Sequence, residues 1–488
     1  MKRRDLLLRV AFYGLLLLAS AATLGRQLSV GESAAVRAGW LVVTFEAARP
    51  VFYTPFTLGL GQLALRFRDP GTFFLTLRAL ALATVFAALA WATFRTRLPA
   101  AEKLGALILV LANGAFVAHG FGFGMGWPVV VGTAVAFGLL QRPGRWAWLG
   151  IGACVAWLLV HHVAGVVFGA VLYLAALAVL LTRPVEPDDR KKKVETVAGF
   201  HVGLVAGLAV WAALSRLLGQ FEAWSGVGPE VLRTLTSEVR VSPWTALGPL
   251  LRRDAVWLAL AGIALVAVVV SMARRRGIDP GLRWAVVFAV TGIGLCLVHP
   301  YPPDWMAALP VPFLALPAAH VLARVVRGWT GRWGVAKWLA SAAGLAVLQF
   351  VAGPPPGWVF VQGLASPMTA QVETLREAVR YADPFDKALD PTGLLYFLPP
   401  AQPRWYLDGL YAEDLRRTGA AAETGLTVEN GPGVWLLVSP ALDDLPIEGL
   451  RREFVHVGGG LALSRQDPRV ARDRLRIRLD HETVRFFR

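Results

Sequence analysis

Between residues 6 and 353 the chain is a succession of about eleven apolar stretches, and the pattern stops at Pro354-Pro355-Pro356. A helix needs about 20 mostly apolar residues to cross the hydrocarbon core of a bilayer. Leu6–Gly25, Thr72–Phe94, Gly199–Gly219 and Ala255–Ala273 each reach that length. In lipid every backbone N–H and C=O must find its partner inside its own segment, which leaves helix as the form these runs can take. The fold class follows before any motif is read. It is an all-α polytopic membrane bundle of about eleven transmembrane helices over residues 1–353, followed by a small α+β domain over 354–488.

Composition agrees. A mean hydropathy of +0.53 and 56% hydrophobic residues exceed what a soluble chain of 488 residues carries, and charged residues fall to 17%. The spacing places spans at 6–25, 72–94, 104–120, 128–141, 147–161, 163–182, 199–219, 255–273, 282–299, 306–326 and 337–353. The stretch from Trp146 to Leu181 has no Lys, Arg, Asp or Glu, and predicts a hairpin of two short helices turning near His161-His162. The first span follows Met1-Lys2-Arg3-Arg4 and is expected to stay uncleaved, because its apolar run is longer than a signal peptide needs and more spans follow.

The net charge of +16 does not point to nucleic acid, since Lys and Arg collect in short connections rather than on one face interleaved with aromatics. With the N-terminus in the cytoplasm, the inner segments carry Arg95, Arg97 and Lys103, then Arg142 and Arg145, the run Arg190 to Lys193, Arg274 to Arg276, and Arg327, Arg332 and Lys337. The outer turns 119–128 and 299–305 carry no Lys or Arg, which is the positive-inside pattern. The expected location is a bacterial cytoplasmic membrane, with the C-terminal domain on the periplasmic or extracellular side. Cys154 and Cys296 lie in apolar spans and read as small core residues.

Two outer loops are more than connectors. Residues 26–71 hold a Leu58–Phe67 run with helical spacing that is too short to span, so 28–70 predicts juxtamembrane helices lying at the interface. Residues 220–254 set Phe221, Trp224 and Trp244 among charges, as suits the headgroup zone. Such surface helices suit an enzyme that receives a lipid-borne substrate from the side. Glu32 sits just beyond the outer end of the first span; a carboxylate partly shielded at an interface can serve as a base or hold a metal. Glu46 follows in the same loop, where a solvated side chain is the plainer interpretation, and Asp304 lies in the turn His299–Trp305, where it also suits a purely turn-shaping role. His119, His161, His162 and His299 all fall at outer span ends, while His201 and His320 read as ordinary helix residues. No HxxxH, HxH, GxSxG, HExxH or paired CxxC is present, and GFGFGMG at 120–126 lacks the Lys-Ser/Thr of a P-loop, so ATP is not an expected fuel. The glycines there suit close helix approach or a flexible turn.

The residues GESAAVRAGW, then ARPVFYTPFTLGLGQLALRFRDPG, then a span opening FFLTLRAL, resemble the start of the GT-C membrane glycosyltransferases, among them the protein O-mannosyltransferase and aminoarabinose transferase relatives. Glu32, Ala34-Ala35, Gly39, Pro50, Pro55, Gly71 and Arg78 stand at matching places. LGIGACVAWLLVHHVAGVVFGAVLYLAAL resembles the family's glycine-rich short hairpin, and HPYPPDWMAALPVPFLAL its late outer turn with a Pro-containing span. The resemblance implies a transferase using a polyprenyl-phosphate sugar on the outer face, with Glu32 as base on the acceptor hydroxyl. It also implies basic residues such as Arg78 or Arg216 as contacts to the lipid phosphate; Glu46, His119, His161, His162 and Asp304, picked out by their outer positions, complete the candidate substrate-binding set. The sequence departs from the family in having Ser33 beside Glu32 and no carboxylate in 113–128. No cofactor is expected, and no spacing supports a divalent metal. Partners are the lipid-linked sugar and membrane lipids; nothing indicates an oligomeric state. A transporter or flippase of a lipid-linked precursor, and a non-catalytic scaffold presenting the tail, are the alternatives.

In the tail, Ser366–Asp383 has helical spacing, and Leu394–Phe397, Val434–Val438 and Phe454–Val457 read as strands, the last ended by Gly458-Gly459-Gly460. Arg404, Trp405, Tyr406, Asp408 and Tyr411 suit either a sugar surface or a structural aromatic cluster.

Overall fold

The computed structural model describes residues 3–25, 32, 63, 70–120, 122–124, 126–161, 163–182, 190–217, 244, 248, 252, 254–274, 278–299, 304–330, 334–352, 387–389, 432–437, 454–458 and 461–471. Among the described residues, eleven helices of 13 to 28 residues occupy the first part of the chain. They are α1 (Arg3–Leu24), α2 (Pro70–Arg95), α3 (Ala100–Ala112), α4 (Trp127–Leu140), α5 (Arg145–Leu159), α6 (Val163–Thr182), α7 (Arg190–Leu217), α8 (Ala255–Ala273), α9 (Pro280–Val298), α10 (Val311–Thr330) and α11 (Gly334–Ala352). Each overlaps one expected span. Among the described residues seven are long and apolar enough to cross a membrane, and α4, most of α5 and the Ala336–Val347 part of α11 are shorter apolar helices. The chain is a multi-pass membrane protein.

Two expected spans prove to be interrupted, each for a local reason. The 104–120 run ends as α-helix at Ala112. Asn113 takes an extended backbone, its side-chain oxygen accepts from the Phe116 N–H at 2.8 Å, and the chain restarts as a π-turn over Phe116–Gly120. An Asn side chain that competes for backbone donors ends a helix that hydrophobicity alone would continue. The 306–326 run begins as a 3₁₀ turn, Asp304–Ala308, and becomes α10 only after Pro310, which has no N–H to donate to a continuing ladder. Of the hairpin at His161, only α5 is short, at 15 residues; α6 runs to 20.

The core is aromatic where helices meet. Phe137 of α4, Phe288 of α9 and Phe313 of α10 close a triangle with ring centroids 4.9–5.9 Å apart. The exterior is equally apolar: Leu17, Leu18, Val205, Val210, Ile263 and Val266 are all more than half exposed. Such a surface belongs in lipid rather than water. The seam between α5 and α7 uses small residues instead. A Cβ on Gly152 would be driven into the Phe200 carbonyl, one on Gly203 into the Leu149 carbonyl, and one on Gly207 to 2.6 Å from the Ala156 Cβ. Helices in lipid gain little hydrophobic drive from one another, so close backbone approach supplies the attraction.

The described part of the tail is a four-stranded sheet in the order β1-β2-β4-β3, with β1 (Lys387–Leu389) parallel to β2 (Val434–Leu437) and the other pairings antiparallel through β3 (Phe454–Gly458) and β4 (Leu461–Ser464). The expected strands at 434 and 454 are present. A further strand, β4, follows β3 and pairs with it antiparallel, so β3 is not the last strand of the tail. The expected strand at 394, the helix at 366–383 and the cluster from Arg404 to Tyr411 lie outside the described residues. Asp467 ties the sheet's end together. It accepts from the N–H of Gly433, whose φ of 78° is the left-handed conformation glycine favours, and from the Arg469 backbone and guanidinium at 2.8–2.9 Å. Burial by itself would push this carboxyl up, but the hydrogen bonds from Arg469 and Gly433, with the guanidinium charge, outweigh it and hold the group below its ordinary value. A carboxyl lowered in the folded state stabilises fully above its unfolded pKa and loses that contribution as pH falls through the folded value. The Trp435 environment, with Arg469 over its ring at 5.6 Å, should therefore loosen on acidification below the ordinary carboxylate range. Asp467→Asn should flatten that dependence in a Trp-fluorescence pH titration; an unchanged profile would show that Asp467 carries none of it.

Candidate active site

Arg78 lies in the third turn of α2, a helix with no other charge before Arg95 in its last turn, and it is completely buried. A guanidinium inside a bundle is tolerated only if paired and hydrogen-bonded. The partner is Glu32, 1% exposed. The Arg78 Nε donates to Glu32 Oε1 at 3.1 Å and the Nη2 to Oε2 at 2.7 Å, the parallel two-bond geometry that fits a planar guanidinium to a carboxylate. The remaining Nη1 donates to the Leu24 carbonyl at 3.0 Å. That carbonyl is among the last of α1, which lack intrahelical donors and sit at the negative end of the helix dipole. One side chain thus joins the end of α1, the first loop and the start of α2.

Aromatic residues surround the pair's end of α2. Phe73 and Phe74 are buried, and Phe74 stacks on Phe123 of the glycine-rich turn, with centroids 6.0 Å apart and planes 20° apart. The same turn meets the 3₁₀ segment at Gly126, where a Cβ would come within 2.7 Å of the Trp305 ring. Trp127 donates its indole N–H to the Thr84 hydroxyl of α2 at 2.8 Å. Gly126 therefore serves close approach, one of the two roles the sequence suggests for these glycines.

The other candidates are distributed differently. His119 is the penultimate residue of the π-turn and is half-buried. His161 is buried at the end of α5, with Nδ1 2.6 Å from the Trp157 carbonyl and its ring 4.5 Å from Trp157 and 5.1 Å from Trp211 of α7. Arg216 is exposed in the last turn of α7. The backbone of Asp304 opens the 3₁₀ turn, while its side chain, like Glu46 and His162, lies outside the described residues. So do the juxtamembrane helices expected within 28–70, apart from Glu32, Leu63 and Pro70. Among the described residues no group of three or more His, Cys, Asp or Glu gathers to hold a metal.

Two buried carboxylates escape sequence reasoning. Asp254, 2% exposed, accepts from the N–H groups of Gly114 and Ala115 at 3.0 and 3.1 Å. Glu102 of α3, 1% exposed, meets His320 Nδ1 of α10 at 2.8 Å, so that histidine is a paired residue rather than an ordinary helix one. The only signal for Glu102 is an acidic residue opening an apolar run, and Asp254 is indistinguishable in sequence from any loop-to-span boundary.

Fold and site together define a multi-pass helical membrane protein with a buried arginine–carboxylate pair clamped where α1, the first loop and α2 meet. Solved structures share the fold. ArnT from Cupriavidus metallidurans bound to undecaprenyl phosphate matches over 89% of this chain and 93% of its own, with a TM-score of 0.53 and 12% sequence identity. The apo form of the same protein matches over the same shares with a TM-score of 0.50, also at 12% identity. No protein-family model and no curated protein sequence matches the chain. The chain thus adopts an ArnT-like fold, as the resemblance of its opening residues leads one to expect.

Proposed function

We propose that the protein is a membrane glycosyltransferase that moves a sugar from a polyprenyl-phosphate donor to an acceptor on the outer face of the cytoplasmic membrane. The observation that carries this is the Glu32–Arg78 pair, a buried ionic group where the end of α1, the first loop and the start of α2 meet. The ArnT-like fold supports it, since that protein is seen with undecaprenyl phosphate. In the reaction the acceptor oxygen forms a bond to the anomeric carbon as the bond from that carbon to the phosphate oxygen breaks. The acceptor proton passes to the Glu32 carboxylate, and polyprenyl phosphate leaves with the bonding electrons. A base works only within hydrogen-bond reach of the proton it takes, so the orientation of Glu32 matters as much as its charge. Arg78 supplies that orientation and, with Arg216, is the candidate cation for the lipid phosphate. His119, His161, His162, Asp304 and Glu46 are the candidate contacts to donor and acceptor.

The test is a proteoliposome assay with labelled polyprenyl-phosphate sugar and a membrane acceptor. The expected result is label on the acceptor and an equal amount of released polyprenyl phosphate. Counterflow of intact donor without a covalent product would instead make the protein a transporter, and neither outcome would leave it a scaffold.

A further inference from the structure

Asp254 is the N-cap of α8, where an Asp ordinarily accepts from the first free N–H groups of its own helix. Here its side chain makes no such bond. Both carboxylate oxygens turn instead to the restart of the chain after α3, Oδ1 to the Gly114 N–H and Oδ2 to the Ala115 N–H. Asn113 Oδ1 takes the next donor, Phe116 N–H, and the Asn113 carbonyl takes Val117 N–H at 3.1 Å. The first N–H groups of a new helical turn have no intrahelical acceptors. Two side chains, one from 140 residues further along the chain, satisfy them and so set the direction in which the π-turn leaves α3. Where it leads is the site already described: Phe123 stacks on Phe74, and Phe74 precedes Arg78 by one helical turn.

We propose that Asp254 is a positioning residue, which holds the 113–126 turn against α2 and thereby holds Arg78 and Glu32 in register. This rests on the glycosyltransferase assignment for its consequence and on hydrogen bonds alone for its placement, and the two are tested by separate measurements. Hydrogen exchange of the full-length protein in nanodiscs reads the placement. Asp254→Asn should speed exchange of the peptide spanning 113–126 by about ten- to a hundredfold, leaving α5–α7 peptides unchanged. Sugar transfer reads the consequence: kcat should fall about tenfold or more while the donor KM stays within about threefold. In a Glu32→Gln background the same substitution should lower kcat no further, because its effect passes through Glu32.

Should Asp254→Asn not fold, Gly114→Pro removes one of the two bonds without touching the carboxylate. Asn113, at ψ 120°, already has the extended backbone that precedes proline, and proline suits the first position of a helical turn. Unchanged exchange at 113–126, exchange that rises throughout the bundle, or losses that multiply in the Glu32→Gln background would each overturn the proposal. If the wild-type protein transfers no sugar, the enzyme assignment falls, and the exchange arm still decides whether Asp254 holds the turn.

Discussion

Glu32→Leu and Arg78→Met are each expected to lower the unfolding free energy by about 3–5 kcal/mol, whereas the double variant should recover most of the loss. Both side chains are buried, and each single change strands the opposite charge without its partner. Removing both leaves apolar side chains of similar volume in a bundle that is already apolar around them. Denaturation in detergent, followed by Trp fluorescence, measures all four corners of the cycle. Activity should follow a different pattern. Glu32→Gln keeps the shape of the side chain and is expected to slow transfer by about 10²–10⁴-fold, the contribution of a positioned base. The stable double variant should be equally inactive. Stability restored without activity would separate the pair's structural role from its chemical one. Full transfer by the double variant would remove Glu32 from catalysis, and additive stability losses would show that the pair is not the buried unit its geometry describes.

Gly203→Leu in α7 is the second large effect. The backbones of α5 and α7 approach so closely that Gly203 has no room for a Cβ beside the Leu149 carbonyl, and a leucine there must push the helices apart. Inserting atoms into such a seam costs about 1–3 kcal/mol for alanine and more for leucine, because backbone, unlike a side-chain tip, has little freedom to yield. Gly199 supplies the control. It lies one turn earlier in the same helix, with nothing within 4 Å of where its Cβ would be. Gly199→Ala should be neutral or slightly stabilising, since alanine favours helix over glycine by about 1 kcal/mol. Melting temperatures of the purified variants in detergent decide it. A Gly203→Leu protein as stable as Gly199→Ala would refute the close-packed seam.

The Gly199, Gly203 and Gly207 series shows where sequence reading reaches its limit. In the sequence the three form one evenly spaced stripe, yet only the last two face α5. Span positions were legible because hydropathy is a property of consecutive residues, and all eleven helices overlap the expected runs. The breaks at Asn113 and Pro310 were not, because one polar or cyclic residue hardly alters the average of an apolar window.

Glu32 and Arg78 could be picked out because the first outer loop and the start of the second span resemble a known family, but as separate roles for a base and a phosphate contact. Their two-bond pairing across 46 residues could not. The sequence by itself determined that this chain lives in a membrane, as a series of helices with a polar tail, because the cost of burying backbone in lipid is settled segment by segment. Only the tertiary structure decided which charges neutralise one another inside it. Partners such as Asp254 and the Gly114 N–H, or Glu102 and His320, are chosen by which helix ends meet in space.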